Sequence, residues 1–166
     1  MKNLTTLLSL LLLISFSSVS YAQNYYVCDD GDDANNGLSE NSPFLTHEKA
    51  ISKFSTMNGG DSVLYCRGGV FPTSKNNWII NNKCNASSRC TFADYGDINK
   101  AKPVIYATNM KAAFNFEDGG NADKDGGYTL RNLALKSDKK STHGIIMYND
   151  VDDVLIENLH IEGFSI

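Results

Sequence analysis

Apolar and polar residues alternate along this chain in short runs, and near its end one such run is written twice. Tyr128-Thr129-Leu130-Arg131-Asn132-Leu133-Ala134-Leu135 lies over Val154-Leu155-Ile156-Glu157-Asn158-Leu159-His160-Ile161 without a gap, at an offset of 26 residues. Repeats of this length signal a solenoid, because one unit cannot bury its apolar face until it stacks on a neighbour. The period of two predicts short strands: Val154 and Ile156 face one way, Leu155 and Glu157 the other. Each Asn sits where one strand turns into the next, a place that favours residues tolerant of left-handed backbone. Leu159 and Ile161 then resume the inward face. A third strand, Gly144–Tyr148, points Ile145 and Met147 inward and Ile146 and Tyr148 outward. It reaches the second copy through the polar turn Asn149–Asp153. Three strands and three turns in about 26 residues predict an all-β coil, a right-handed parallel β-helix. In it Asn132 and Asn158 would stack as an amide ladder. A leucine-rich repeat fits less well. Leu130-x-x-Leu133-x-Leu135 matches its first half, but Asp138 and Phe164 stand where Asn or Cys is required.

The first part of the chain reads as a cap. Asn24–Cys28 is a short strand run, followed by the acidic turn segment Asp29–Gly37. A short helix is capped by Thr46, carries the apolar stripe Ala50, Ile51 and Phe54, and stops at Gly59-Gly60. Asp61–Cys66 is the next strand. The first coil of a solenoid has an open apolar end, and this helix is the obvious lid for it.

Met1–Ala22 has the positive start, apolar core and small-x-small ending of a secretory signal. One domain is expected over residues 23–166, with 23–71 as cap and first strands and 72–166 as coils. Nothing near Ile166 resembles a closing cap, so a chain truncated at its carboxy end is the expectation. Without Lys2, 14 basic residues face 19 acidic ones. That balance disfavours nucleic acid or an anionic membrane surface as partner, and no later segment is apolar enough to span a bilayer. Cys28, Cys66, Cys84 and Cys90, an even set in an exported chain, read as disulfides with three possible connectivities. Cys84–Cys90 as a clip on a polar loop and Cys28–Cys66 between neighbouring strands are favoured. No Cys or His spacing suits zinc.

Tyr25-Tyr26-Val27, Asp30-Gly31-Asp32, Asn36-Gly37, Ser42-Pro43-Phe44, Lys49-Ala50, Gly60-Asp61 and Arg67-Gly68-Gly69-Val70-Phe71 resemble the opening of secreted pectate-lyase-like right-handed parallel β-helix proteins. Ala93-Asp94-Tyr95-Gly96-Asp97 and Lys102-Pro103-Val104-Ile105 resemble the segment that follows. The resemblance implies an exported protein, extracellular or periplasmic. It implies binding or cleavage of extracellular polysaccharide, often by Ca²⁺-assisted β-elimination of uronic-acid chains. Fold membership alone does not establish that chemistry.

Enzymes of this architecture work on the outer face of one sheet. Tyr148 is the candidate to stack on a sugar ring, with Glu117–Gly127 as a wall. β-Elimination needs a base beside acidic metal ligands. The candidates for Ca²⁺ are Asp150, Asp152 and Asp153 in one turn, and Asp30 and Asp32 in the amino-terminal loop. The second set departs from the EF-hand pattern at Ala34, Asn35 and Asn41, and for both sets a plain, solvated Asx turn is the favoured reading. Lys136, Lys139 and Lys140 read as solvated, Arg67 as an ion-pair partner for Glu48. No catalytic base can be named, and His47, His143 and His160 have no Ser or Cys partner for a triad. Two functions stay open: a polysaccharide lyase or part of one, and a non-catalytic glycan-binding or adhesion module.

Overall fold

The computed structural model describes residues 21–117 and 126–165. All but the last two residues of the expected leader, most of the loop Glu117–Gly127, and Ile166 lie outside them. The elements in chain order begin with β1 (Asn24–Val27), α1 (His47–Phe54), β2 (Ser62–Cys66), β3 (Val70–Thr73) and β4 (Trp78–Ile79). Then come β5 (Cys90–Tyr95), β6 (Val104–Ala107), β7 (Ala112–Phe116), β8 (Tyr128–Arg131), β9 (Ala134–Ser137), β10 (His143–Met147), β11 (Leu155–Glu157) and β12 (His160–Glu162). They form three sheets: β1-β2-β5-β8-β11, β3-β6-β9-β12 and β4-β7-β10. Every strand pairing is parallel. From β2 onward the chain visits the sheets in strict rotation, so each winding lays one strand on each sheet. The all-β expectation, parallel with one short helix, describes this arrangement.

Inward residues stack winding upon winding. Val63, Phe92, Leu130 and Ile156 occupy one register line of the first sheet, and Phe71, Ile105, Leu135 and Ile161 one of the second. Aromatic rings fill the interior: Phe54 lies 3.9 Å from Phe92, Phe92 5.0 Å from Phe114, and Phe116 5.0 Å from Tyr128. Fully burying such a side chain contributes about 1.5–3 kcal/mol. Pro72, which cannot donate to a ladder, sits on β3, the first strand of its sheet. In the last winding Met147 lies in register above Phe116 yet is 45% exposed. The inward placement therefore does not bury it, because no described strand stacks beyond β10.

Helix α1 closes the other end. Thr46 Oγ1 accepts from Lys49 N at 3.1 Å, and Ala50, Ile51 and Phe54 are buried. The helix ends at Phe54 with Ser55 as cap, five residues before the glycine pair expected to stop it. The reason is a side chain from far along the chain. Asn81 Nδ2 donates to the carbonyls of Phe54 and Met57, at 2.6 and 3.1 Å, satisfying groups a longer helix would have bonded internally. His47 is wholly buried between the Tyr65 hydroxyl (2.7 Å) and the Ala113 carbonyl (3.1 Å). Burial pushes its pKa down to about 4. Disulfides Cys28–Cys66 and Cys84–Cys90 tie the cap and the following loop.

At the turn between the first and second sheets a polar spine runs along the axis. Asn158 Nδ2 donates to Asn132 Oδ1, and Asn132 Nδ2 to Asp94 Oδ1, both at 2.8 Å. Asp94 Oδ2 accepts from Arg67 Nε at 2.5 Å. Lys102 Nζ closes the far end on Asn158 Oδ1 at 2.7 Å. Both Asn residues have positive φ, 59° and 51°, which Asn tolerates better than most residues. The partner foreseen for Arg67 is corrected: the guanidinium takes Asp94, while Glu48 accepts from Thr73 Oγ1 at 2.9 Å.

Candidate functional site

Strand alternation on the β4-β7-β10 sheet turns Ile79, Phe114 and Phe116 into the core. It leaves Trp78, Asn115 and Ile146 in one outward row. Trp78 is 49% exposed. Asn115 is only 1% exposed, and its buried Oδ1 has no hydrogen-bond partner among the described residues.

Just past β10, Tyr148 meets Trp78 edge-to-face with ring centres 5.0 Å apart. Lys111 Nζ lies 4.5 Å from the Tyr148 ring centre on its face, a cation–π contact. Tyr148 is held from the backbone, its N–H donating to the Phe116 carbonyl at 3.0 Å. Asn149, at φ 57°, turns its amide so that Nδ2 donates to Glu117 Oε1 at 2.5 Å. Asn76 Oδ1 accepts from Lys111 N at 2.7 Å. Two aromatic rings bordered by amides, a lysine and a carboxylate form a surface that can stack on an apolar ring face and bond the hydroxyls around its rim.

On the neighbouring β3-β6-β9-β12 sheet, Pro72, Tyr106, Lys136 and Glu162 share an outward register line. Lys136 Nζ lies 2.6 Å from Glu162 Oε1, and His160 Nε2 3.0 Å from Glu162 Oε2. Lys136, then His160, holds the Glu162 carboxyl down to about 2. The solvated role expected for Lys136 is thus corrected: it lies in a strand and has a carboxylate partner one winding away.

The calcium candidates do not converge. Asp32 Oδ1 accepts from Ala34 N at 2.8 Å, an Asx turn. Asp153 lies near Arg89, its Oδ1 3.7 Å from Nη2, and Asp152 bridges to Gly126. Among the described residues only Cys28, Asp29 and Cys66 bring three ligand-type atoms within 4.8 Å. Both sulfurs there are spent on a disulfide. Among the described residues, no three of Asp30, Asp32, Asp150, Asp152 and Asp153 bring carboxylate oxygens within 4.8 Å of one another.

Sequence reasoning singled out Tyr148 but passed over Trp78, Asn115 and Lys111. The signal for Trp78 was the apolar run Trp78-Ile79-Ile80 between Asn76-Asn77 and Asn81-Asn82, of which only Trp78–Ile79 is strand. Asp94 was also legible: Thr91-Phe92-Ala93-Asp94 lies over Thr129-Leu130-Arg131-Asn132 with Asp in place of Asn.

No family model matches the chain. A lacto-N-biosidase of Bifidobacterium longum subsp. longum is 31% identical over 146 residues, 87% of this chain and 8% of that protein. Crystal structures of a GH136 lacto-N-biosidase from Eubacterium ramulus, native and selenomethionine forms, are 22% and 20% identical. Each superposes with a TM-score of 0.62 over 84% of this chain and 27% of theirs. The chain thus spans about a twelfth of the curated relative, and its likeness to the solved structures is one of fold.

Proposed function

We propose that this chain is an exported, carbohydrate-active right-handed parallel β-helix whose β4-β7-β10 sheet presents a glycan-contacting face built on Trp78 and Tyr148. The handedness follows from the strong preference of parallel crossover connections for the right-handed sense. The observation that carries the function is the Trp78–Tyr148 pair, with ring centres 5.0 Å apart and Trp78 49% exposed. Likeness to lacto-N-biosidases supports the same reading. It favours a glycosidase lineage over the uronate-lyase lineage expected from sequence. The geometry agrees, since Lys136 is tied to Glu162 rather than poised as a base.

A binding role without cleavage is the second reading. It draws on the same aromatic pair, which can stack on a sugar ring without any hydrolytic group. One experiment separates the two. The protein is screened on a glycan array and then incubated with the bound neutral oligosaccharides while released sugar is quantified. Binding with release supports a glycosidase, and binding without release supports the module. Binding of no glycan refutes both.

A further inference from the structure

A hollow of about 370 Å³ beside Trp78 opens between α1 and the segment leading into β4. Its walls include Glu48, Ser52 and Ser55 from the helix and Lys75, Asn76 and Trp78 from the segment. Trp78 is therefore shared: its ring meets Tyr148 on the sheet face, and the residue also lines the hollow. Ligand sites of this kind run from about 300 to 1,000 Å³, so the hollow suits a ligand the size of one or two sugar rings.

Its polar groups are already oriented. Glu48 Oε1 accepts from Thr73 Oγ1 at 2.9 Å, which fixes the carboxylate and leaves its second oxygen for a ligand donor. Asn76 Oδ1 is taken by Lys111 N at 2.7 Å, which leaves the Asn76 amide N–H groups to donate. A pyranose offers both complements: hydroxyls that donate to a carboxylate and accept from an amide, and a C–H face for the indole. Charge selects among sugars. The walls hold one carboxylate, Glu48, against one ammonium, Lys75, with no cation in excess. An acidic sugar would bring its carboxylate towards Glu48 without a surplus positive group to meet it.

We infer that this hollow is a second glycan subsite that takes a neutral sugar residue, so that a linear oligosaccharide runs from Tyr148 across Trp78 to the capping helix. The inference rests on the reading of the aromatic face as glycan-contacting and adds the ligand's path and charge class.

Trp78 is the single tryptophan of the chain, so its emission reports on the shared wall. The test titrates the full chain with lactose, cellobiose and N,N′-diacetylchitobiose, and with digalacturonate as the charged counterpart. Saturation-transfer NMR records binding independently. The expected result is a saturable change in emission with at least one neutral disaccharide and none with digalacturonate. Glu48→Gln should weaken that binding about tenfold, the loss of a hydrogen bond to a charged group. Ser52→Tyr, an exposed helix position where a ring would fill the hollow, should abolish the emission change with the neutral disaccharides. Neutral sugars that bind both variants as they bind the native chain would overturn the subsite while leaving the glycan face standing. An emission change confined to digalacturonate would overturn the neutral class. Absence of binding to any sugar would overturn the subsite and the glycan face together.

Discussion

Replacing Asp94 by Asn removes one charge and almost no volume, and it strikes the polar spine at its most buried point. Arg67 and Asp94 side chains are 8% and 9% exposed. Removing one partner of a buried pair typically costs about 3–5 kcal/mol, because the other charge is left uncompensated. Arg67 keeps two acceptors, the Ile98 and Lys100 carbonyls at 3.1 and 2.9 Å. The expected loss is therefore about 2–3 kcal/mol, or roughly 5–10 °C in Tm for a chain of this size. Two further variants separate side chain from backbone. Asn132→Gly keeps the left-handed backbone at φ 59° but deletes the bonds to Asp94 and Asn158, for about 2 kcal/mol. Asn132→Ala deletes the same bonds and adds the strain of a Cβ at positive φ, about 1 kcal/mol more. Thermal melts followed by near-ultraviolet circular dichroism should rank native above Asn132→Gly above Asn132→Ala. An Asp94→Asn protein melting within a degree of the native one would refute the reasoning, as would an Ala variant equal to or better than Gly.

Acid should loosen the cap through His47. Its folded pKa of about 4 lies below the unfolded value of about 6.5, so its neutral form contributes full stability above pH 6.5. That contribution drains away as pH falls towards 4, by about 3 kcal/mol in all. Urea midpoints measured across that window should fall for the native chain and stay flatter for His47→Gln. Opening Cys28–Cys66, separated by 38 residues, should cost about 4 kcal/mol on the chain-entropy account. Opening Cys84–Cys90, separated by 6, should cost about 2. Paired Cys→Ser variants compared by denaturant titration test that order.

The winding itself was written openly in the chain. Asn132 and Asn158 recur with matching neighbours, and a period of two assigns the inward face residue by residue, so strand direction and stacking follow from local pattern. Asp94 escaped because the third rung exchanges an amide for a carboxylate, and that exchange is what draws in Arg67. Both Glu48 and Asp94 are carboxylates within reach on paper, and only the register of β2 against β5 brings Asp94 beside Arg67. The early end of α1 was hidden for the same kind of reason: Asn81, 24 residues beyond Met57, supplies the helix's last hydrogen bonds. Of the aromatic face, Tyr148 showed in the alternation that runs from β10 one residue past its end. Trp78 meets it, and Asn115 falls in line between Trp78 and Ile146, only because β4, β7 and β10 lie side by side. Lys136 and Glu162 likewise become partners by stacking, 26 residues apart.

The central claim is that the Trp78–Tyr148 face holds sugar, and an amide-resolved NMR titration tests it most directly. With a neutral oligosaccharide bound on the array, the Trp78 indole N–H and the amides of residues 76–78, 111–117 and 146–149 should shift together and saturate, and Tyr148→Ala should weaken the response. A glycan that binds while shifting only the β1-β2-β5-β8-β11 sheet, or Tyr148→Ala binding unchanged, would contradict it.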